Sequence, residues 1–281
     1  MYWTWYLAND MQFYFISPLL LLVLYRSKYL GISLVATLCT ASIITTCVLM
    51  GVNQFSNAFK GSMDTRPGGE DYSSVVYDKP YCRITPYLIG MLLGYAMARL
   101  KTNNQRVKLS PIAVFVGWTF SIALLTTVAF GLYGSYHGDP MTVVARALYE
   151  GLSRFTWSVA LSWVVFACFY GYGGWVNQLL SSGLWVPLSR LVFNAYLVHP
   201  IMIKVFIFSM FEPIHYSYTM MIFYYFAFIL SSFMVAMYIF LVVELPFSNL
   251  VELFTTKKYR KEGPKANEEN NARRKQCDEQ V

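Results

Sequence analysis

Charge is the property that this 281-residue sequence has least of. Only 13% of its residues are Asp, Glu, Lys or Arg, whereas 56% are hydrophobic. A soluble domain carries about 25% charged residues. The deficit, together with several long apolar runs, excludes an ordinary soluble domain and predicts an integral membrane protein.

Other absences exclude particular kinds of site. The sequence contains no phosphate-binding loop, no serine nucleophile elbow and no zinc motif. None of its three histidines has a second ligand at metal-binding spacing, so we expect no bound metal and no bound cofactor. The five cysteines lie mostly in apolar segments and do not form the disulfide framework of a small secreted protein.

The apolar segments predict an all-α polytopic membrane protein with about seven transmembrane helices. Polar or basic stretches separate them, and glycines at 171, 173 and 174 end the fifth. An interfacial amphipathic segment is expected over 175–189, after that break. The expected spans are about 8–25, 30–51, 86–100, 111–133, 153–171, 188–210 and 219–243.

Basic residues set the expected orientation. Eight Lys and Arg lie in 255–281, which predicts a polybasic, disordered cytoplasmic tail after a transmembrane domain at 1–254. With this tail inside, fifteen Lys and Arg fall on the inner side and six on the outer side, which favours N-out, C-in and an outer loop at about 52–85. We expect membrane lipids as the partner of this basic tail, and the net charge of +7 does not require a nucleic acid.

Polar residues at the start of the first span form the first candidate site. Asn9, Asp10 and Gln12 precede a run apolar enough to enter a bilayer, and helical spacing places Asp10 and Tyr14 on one face. An ionisable residue in such a place often faces a cavity or a helix-bundle interior. It can equally mark the water-side end of a helix, and position alone favours neither interpretation.

A second group lies in the last two spans. His199 is expected near the middle of the bilayer with Tyr196 on the same helix face, and a histidine there is a candidate ligand, proton carrier or hydrogen-bond donor. The alternative is a structural histidine bonded to a neighbouring helix. Glu244 is expected either to pair with inner-side cations such as Arg190 or to line a cytoplasm-facing cavity.

Three stretches together resemble the membrane acyltransferase-3 family, and within it the animal "nose resistant to fluoxetine" branch. The run WYLANDMQFY at 5–14, followed by Pro18, resembles the family signature W-x-L-x-x-E-x-Q-F-Y…P, with Asp10 at the position of the Glu. The run from Ser189 to His199 resembles a later helix of the family, and 244–247 (ELPF) resembles its closing E-x-P-F.

The resemblance implies an enzyme that transfers an acyl group, other than an aminoacyl group, from a donor such as acyl-CoA to a lipid or small-molecule acceptor. It implies catalytic roles for His199 and Asp10, substrate binding by Asn9, Gln12, Tyr14 and Tyr196, and supporting roles for Glu244 and Arg190. The family's catalytic His lies upstream of the first motif. The resemblance therefore implies an N-terminally truncated copy, in which His199 assists and activity is in question.

Two other classes compete with this interpretation. A proton-coupled transporter or lipid carrier would also use ionisable residues in broken helices, although no inverted repeat is visible. A seven-helix receptor fits the span count, but the D-R-Y and N-P-x-x-Y motifs are missing. The expected location is the plasma membrane or the endoplasmic reticulum, and the acyl acceptor stays open.

Overall fold

The described part of the chain is almost entirely helical, with no strand. A computed structural model describes residues 2–55, 72–103, 107–136, 141–210 and 217–254. This confirms an all-α polytopic membrane protein. Eight of the α-helices within these ranges are labelled here. They are α1 (Trp5–Arg26), α2 (Lys28–Asn53), α3 (Pro80–Thr102), α4 (Pro111–Phe130), α5 (Val143–Phe169), α6 (Gly174–Leu180), α7 (Trp185–Phe208) and α8 (Tyr218–Ile239).

Six helical segments in the described ranges are long and apolar enough to cross a membrane: Trp5–Arg26, Lys28–Asn53, Pro111–Ser135, Val143–Phe169, Trp185–Phe208 and Tyr218–Phe254. The predicted third span, 86–100, lies within α3, which is long enough but more polar because it carries Arg83, Arg99 and Lys101. The N-out, C-in orientation stays a prediction.

Two predicted spans begin later than the helices that contain them. Helix α5 begins at Val143, ten residues before the predicted start, because the Thr142 hydroxyl accepts a hydrogen bond from the Ala145 amide at 3.3 Å and caps the helix. Helix α3 begins at Pro80 rather than at 86. Proline fits the first turn of a helix, since its missing N–H would have no intrahelical partner there.

The glycine break after the fifth span is confirmed, but the expected interfacial segment is wrong in its extent. Helix α5 ends at Phe169, and Gly171 follows with φ +82°, a left-handed conformation that favours glycine. The region 175–189 contains all but the first residue of the short helix α6, and the beginning of the long helix α7, which starts at Trp185.

The described chain divides into two compact units, residues 1–181 and residues 182–281. In the first unit, α5 packs against α2, α3 and α4, and α1 packs against α2 and α3. The tightest turn lies between α1 and α2, where Ser27 alone connects the helices. A Cβ atom added at Gly31 would lie 2.6 Å from the Leu24 Cα, so glycine permits this reversal.

The second unit is an antiparallel pair of helices. At one end, the ring of Phe206 on α7 lies 5.3 Å from that of Tyr224 near the beginning of α8. At the other end, the Asn194 amide donates a 2.7 Å hydrogen bond to Glu244 Oε2. Helix α8 continues through a π-helical turn at Phe240–Glu244 and stays helical to residue 254, where the domain boundary was predicted; the tail at 255–281 lies outside the described residues.

Candidate functional site

The first unit contains a cavity of about 520 Å³ that Asp10 lines. Two arginines, Arg83 from α3 and Arg154 from α5, share its wall with Ser153 and Ser158. Aromatic rings supply much of the remaining surface, among them Trp5, Tyr6, Tyr87 and Trp157. A cavity with one carboxylate, two guanidinium groups and aromatic walls can hold a substrate that has both a polar and an apolar part.

The four residues of the first motif occupy different environments. Asn9 is buried, and its amide donates a 3.0 Å hydrogen bond to the Asp78 carbonyl, which ties α1 to the segment before α3. Asp10 is exposed toward the cavity. Gln12 and Tyr14 are exposed and do not line this cavity. The substrate-binding roles predicted for Asn9, Gln12 and Tyr14 stay predictions. Asn9 also makes the structural contact with the Asp78 carbonyl.

Arg83 is held by two aromatic rings. Its guanidinium carbon lies 4.4 Å from the centroid of the Tyr77 ring and 5.2 Å from that of the Trp5 ring. Its Nε donates a 2.9 Å hydrogen bond to the Tyr77 carbonyl. Planar stacking and a fixed N–H direction suit arginine and not lysine. The side chain is therefore positioned before any ligand arrives.

A buried ion pair adjoins the cavity, because Arg154 both lines the cavity and pairs with Glu150. Glu150 Oε2 lies 3.7 Å from an Arg154 guanidinium nitrogen, one helical turn away, and the Glu150 side chain is 6% exposed. The Tyr72 hydroxyl donates to the same carboxylate oxygen at 3.4 Å. Burial, and then the negative charge of Glu150, raise the pKa of Tyr72, so this hydroxyl keeps its proton and remains a donor.

Sequence reasoning missed this pair. Glu150 and Arg154 are four residues apart, the spacing of an ion pair on one helix face. The expected span 153–171 leaves Glu150 outside and has Arg154 at its edge, because charged residues lower the local hydropathy and shift the apparent start of an apolar segment. An acid and a base at this spacing, directly before an apolar run, were the signal that could have identified them.

His199 lines a second cavity, of about 420 Å³, between α7 and α8 of the second unit. Its ring lies 5.9 Å from that of Tyr196, which also lines this cavity. The His199 Nδ1 atom lies 3.3 Å from the Ala195 carbonyl oxygen. A carbonyl oxygen can only accept, so a hydrogen bond here assigns the proton to Nδ1 and leaves the Nε2 lone pair available.

Of the two expectations for Glu244, pairing with cations such as Arg190 or lining a cytoplasm-facing cavity, the pairing is not seen among the described residues. Glu244 accepts the hydrogen bond from Asn194, a buried residue on α7. Arg190 is exposed, and within the described ranges the recorded ion pair is that of Glu150 and Arg154 rather than one with Glu244. The Asn194 side chain connects α7 to the π-helical turn that follows α8. The supporting role predicted for Arg190 stays a prediction.

Within the described ranges, no group of three or more His, Cys, Asp or Glu side chains is placed to hold a metal ion. The four cysteines in those ranges, Cys39, Cys47, Cys82 and Cys168, are free thiols. Asp10 belongs to the first unit and His199 to the second.

Comparison with known proteins agrees with the resemblance found in the sequence motifs. The model of the acyltransferase-3 family, described as "Acyltransferase domain", matches residues 1–241. The chain is 34% identical over 265 residues to "Nose resistant to fluoxetine protein 6" of Caenorhabditis elegans, an alignment that covers 91% of this chain and 32% of that protein. It is 24% identical over 271 residues to "Regulator of hypoxia-inducible factor 1" of the same organism, covering 91% of the chain and 51% of that protein.

The chain thus spans about a third of the length of one curated relative and about half of the other. No solved structure matches the chain.

Proposed function

Because the chain belongs to the acyltransferase-3 family, we propose that it transfers an acyl group from a donor such as acyl-CoA to a lipid or small-molecule acceptor in the membrane. The acyl group is other than an aminoacyl group. One observation carries the proposal beyond the family match: His199 lines an apolar cavity, and its Nδ1 lies 3.3 Å from the Ala195 carbonyl oxygen, a contact that favours the tautomer with Nε2 as a proton acceptor.

The reaction that these groups support is general-base catalysis. We assign the base to His199 itself, rather than the assisting role that the resemblance implies, because among the described residues it is the histidine that lines a cavity. An acceptor hydroxyl gives its proton to His199 Nε2 as its oxygen attacks the thioester carbonyl carbon. The new C–O bond forms, the C–S bond breaks, and the thiolate leaves and takes up the proton from the imidazolium. A positioned base of this kind typically contributes a factor of about 10² to 10⁴ in rate.

Asp10 has a separate role in this proposal. With Arg83 and Arg154 it lines the cavity of the first unit, where a carboxylate and two cations can bind a polar or charged part of a substrate. Arg83 is fixed by its two rings and Arg154 by Glu150, so neither loses much side-chain freedom on binding. We expect these three residues to act mainly on substrate affinity.

The test uses membranes from cells that express the native gene at full length. A radiolabelled acyl-CoA is supplied, and both the thiol released and the label in extracted lipids and small molecules are followed. The proposal predicts equal amounts of thiol and acyl product, and a raised KM with Asp10→Asn. Proton-dependent uptake of a solute without thiol release would instead identify a transporter or lipid carrier, and the proposal would be wrong.

The two locations first expected, plasma membrane and endoplasmic reticulum, remain proposals. Six apolar helical segments place the protein in a membrane, but they are compatible with either one. Imaging of the tagged native protein with markers of both membranes decides between them.

A further inference from the structure

A buried serine residue borders the cavity between α7 and α8. Ser232 is 2% exposed, and among the described residues its Oγ atom has no hydrogen-bond partner. A buried polar group left unpaired costs about 1–3 kcal/mol, so such groups are usually satisfied by something. Ser232 lines the same cavity as His199, and rotation about its Cα–Cβ bond would turn the hydroxyl toward a molecule held there.

The rest of the wall is almost entirely apolar. Helix α7 contributes Val192, Ala195 and Ile203, and α8 contributes Phe228 and Ile229. A wall of this kind holds a hydrocarbon body, while one or two polar groups fix its orientation. The ligand that fits is a molecule with one hydrogen-bonding group and an apolar chain.

The antiparallel register places the polar groups together. Phe206 lies beside Tyr224, and Asn194 bonds to Glu244, so residues between these pairs on α7 face residues between them on α8. Interpolation between these pairs places His199 about one helical turn from the level of Ser232, and both residues line the same cavity. A chain whose carbonyl group is bonded to the Ser232 hydroxyl would therefore have that group within about one turn of the imidazole.

The length of the cavity limits the length of the apolar ligand chain that it can hold. Its wall on α7 runs from Val192 to Ile203, a rise of roughly 16 Å at about 1.5 Å per residue. This is about half of the 30 Å hydrocarbon core of a bilayer, the depth that the chains of one lipid leaflet occupy. A single acyl chain satisfies the apolar wall, and its carbonyl oxygen is an acceptor suited to a serine hydroxyl.

We propose that the cavity between α7 and α8 binds a single acyl chain whose carbonyl oxygen accepts a hydrogen bond from Ser232. The inference rests on the proposed function and deepens it, because it names the part of the substrate that lies beside His199. Ser232 is a positioning residue, which orients the chain and takes no part in proton transfer.

The test is photolabelling of the full-length protein in phosphatidylcholine nanodiscs. A sixteen-carbon fatty acid with a diazirine in its chain is the probe, and labelled peptides are identified by mass spectrometry. We expect labelling on α7 and α8 that excess unlabelled fatty acid prevents. Ser232→Ala should lower the labelling yield about five-fold, the loss of one hydrogen bond.

The chain offers a matched control at the next position. The Ser231 hydroxyl already donates to the Phe228 carbonyl at 3.2 Å, and Ser231 is not among the residues that line the cavity. Ser231→Ala should therefore leave the yield unchanged. A second variant, Ile229→Trp, fills the cavity and should abolish labelling of α7 and α8 while the protein still elutes as a single species.

The outcomes separate the two proposals. Labelling that is equal in wild type, Ser232→Ala and Ile229→Trp, or that lies outside α7 and α8, overturns the inference. Acyl transfer without labelling of these helices would leave the proposed function in place and remove the inference. Labelling that follows the expected pattern without any acyl transfer would support the binding site and contradict the proposed reaction.

Discussion

Replacing Glu150 by Ala should destabilise the first unit more than any exposed substitution. The carboxylate lies 3.7 Å from an Arg154 nitrogen. At an effective dielectric constant of 20, a pair of unit charges at this distance attracts by about 4.5 kcal/mol. Desolvation of the buried carboxylate offsets part of this attraction, and the Tyr72 hydroxyl adds a hydrogen bond to the same oxygen.

The expected net loss for Glu150→Ala is about 2–3 kcal/mol in the free energy of unfolding. This lies below the roughly 3–5 kcal/mol typical of a broken buried pair, because Arg154 borders a cavity where water can solvate the unpaired cation. The measurement is unfolding in mixed micelles by titration with sodium dodecyl sulfate, followed by tryptophan fluorescence.

A double-mutant cycle isolates the pair. We expect a coupling of about 1–2 kcal/mol between Glu150→Ala and Arg154→Met, because each single variant loses the same interaction. Glu252→Ala is the control, since this glutamate is exposed and its loss should change stability by less than about 0.5 kcal/mol. If the two single effects add within about 0.5 kcal/mol, the ion pair contributes nothing and the reasoning is refuted.

Two further substitutions test the packing of the first unit in the same unfolding assay. Gly31→Ala should destabilise the protein, because the new Cβ atom would lie 2.6 Å from the Leu24 backbone. Gly94→Ala is the control: its new Cβ atom would meet nothing within 4 Å, and the change should be neutral or stabilising by up to about 1 kcal/mol. Equal effects of the two substitutions would contradict the tight turn between α1 and α2. Arg83→Lys should lower the free energy of unfolding by about 1 kcal/mol, because the stacking on the two aromatic rings is lost. The same change at the exposed Arg26 should leave that free energy almost unchanged. Similar losses at both positions would show that the rings do not hold Arg83.

The sequence predicted the helical membrane architecture because hydropathy averages over many residues. Long apolar runs and the lack of charge were sufficient for the first, second and fourth spans, whose helices lie close to the expected bounds. The start of α5 was missed because it depends on one capping residue, Thr142, and on charged residues that an apolar run does not contain.

The candidate site was predictable only in part. A polar motif at the mouth of an apolar run left two interpretations of Asp10 open, a cavity or the end of a helix, and in the structure Asp10 lines a cavity. Which groups of α3 and α5 would face it depends on how the helices pack, and a single sequence does not specify that. Likewise, the pairing of Glu244 with Asn194 follows from the antiparallel register of α7 and α8.

Acyl transfer by a His199→Gln variant is the most direct test of the central claim, that this imidazole accepts a proton during the reaction. The assay compares label transfer from acyl-CoA in membranes with equal amounts of wild-type and variant full-length protein. The matched control is His215→Gln, since His215 has no assigned role. We predict that kcat falls by about 10² to 10⁴ in His199→Gln and is unchanged in the control. Wild-type kcat in His199→Gln would contradict the claim.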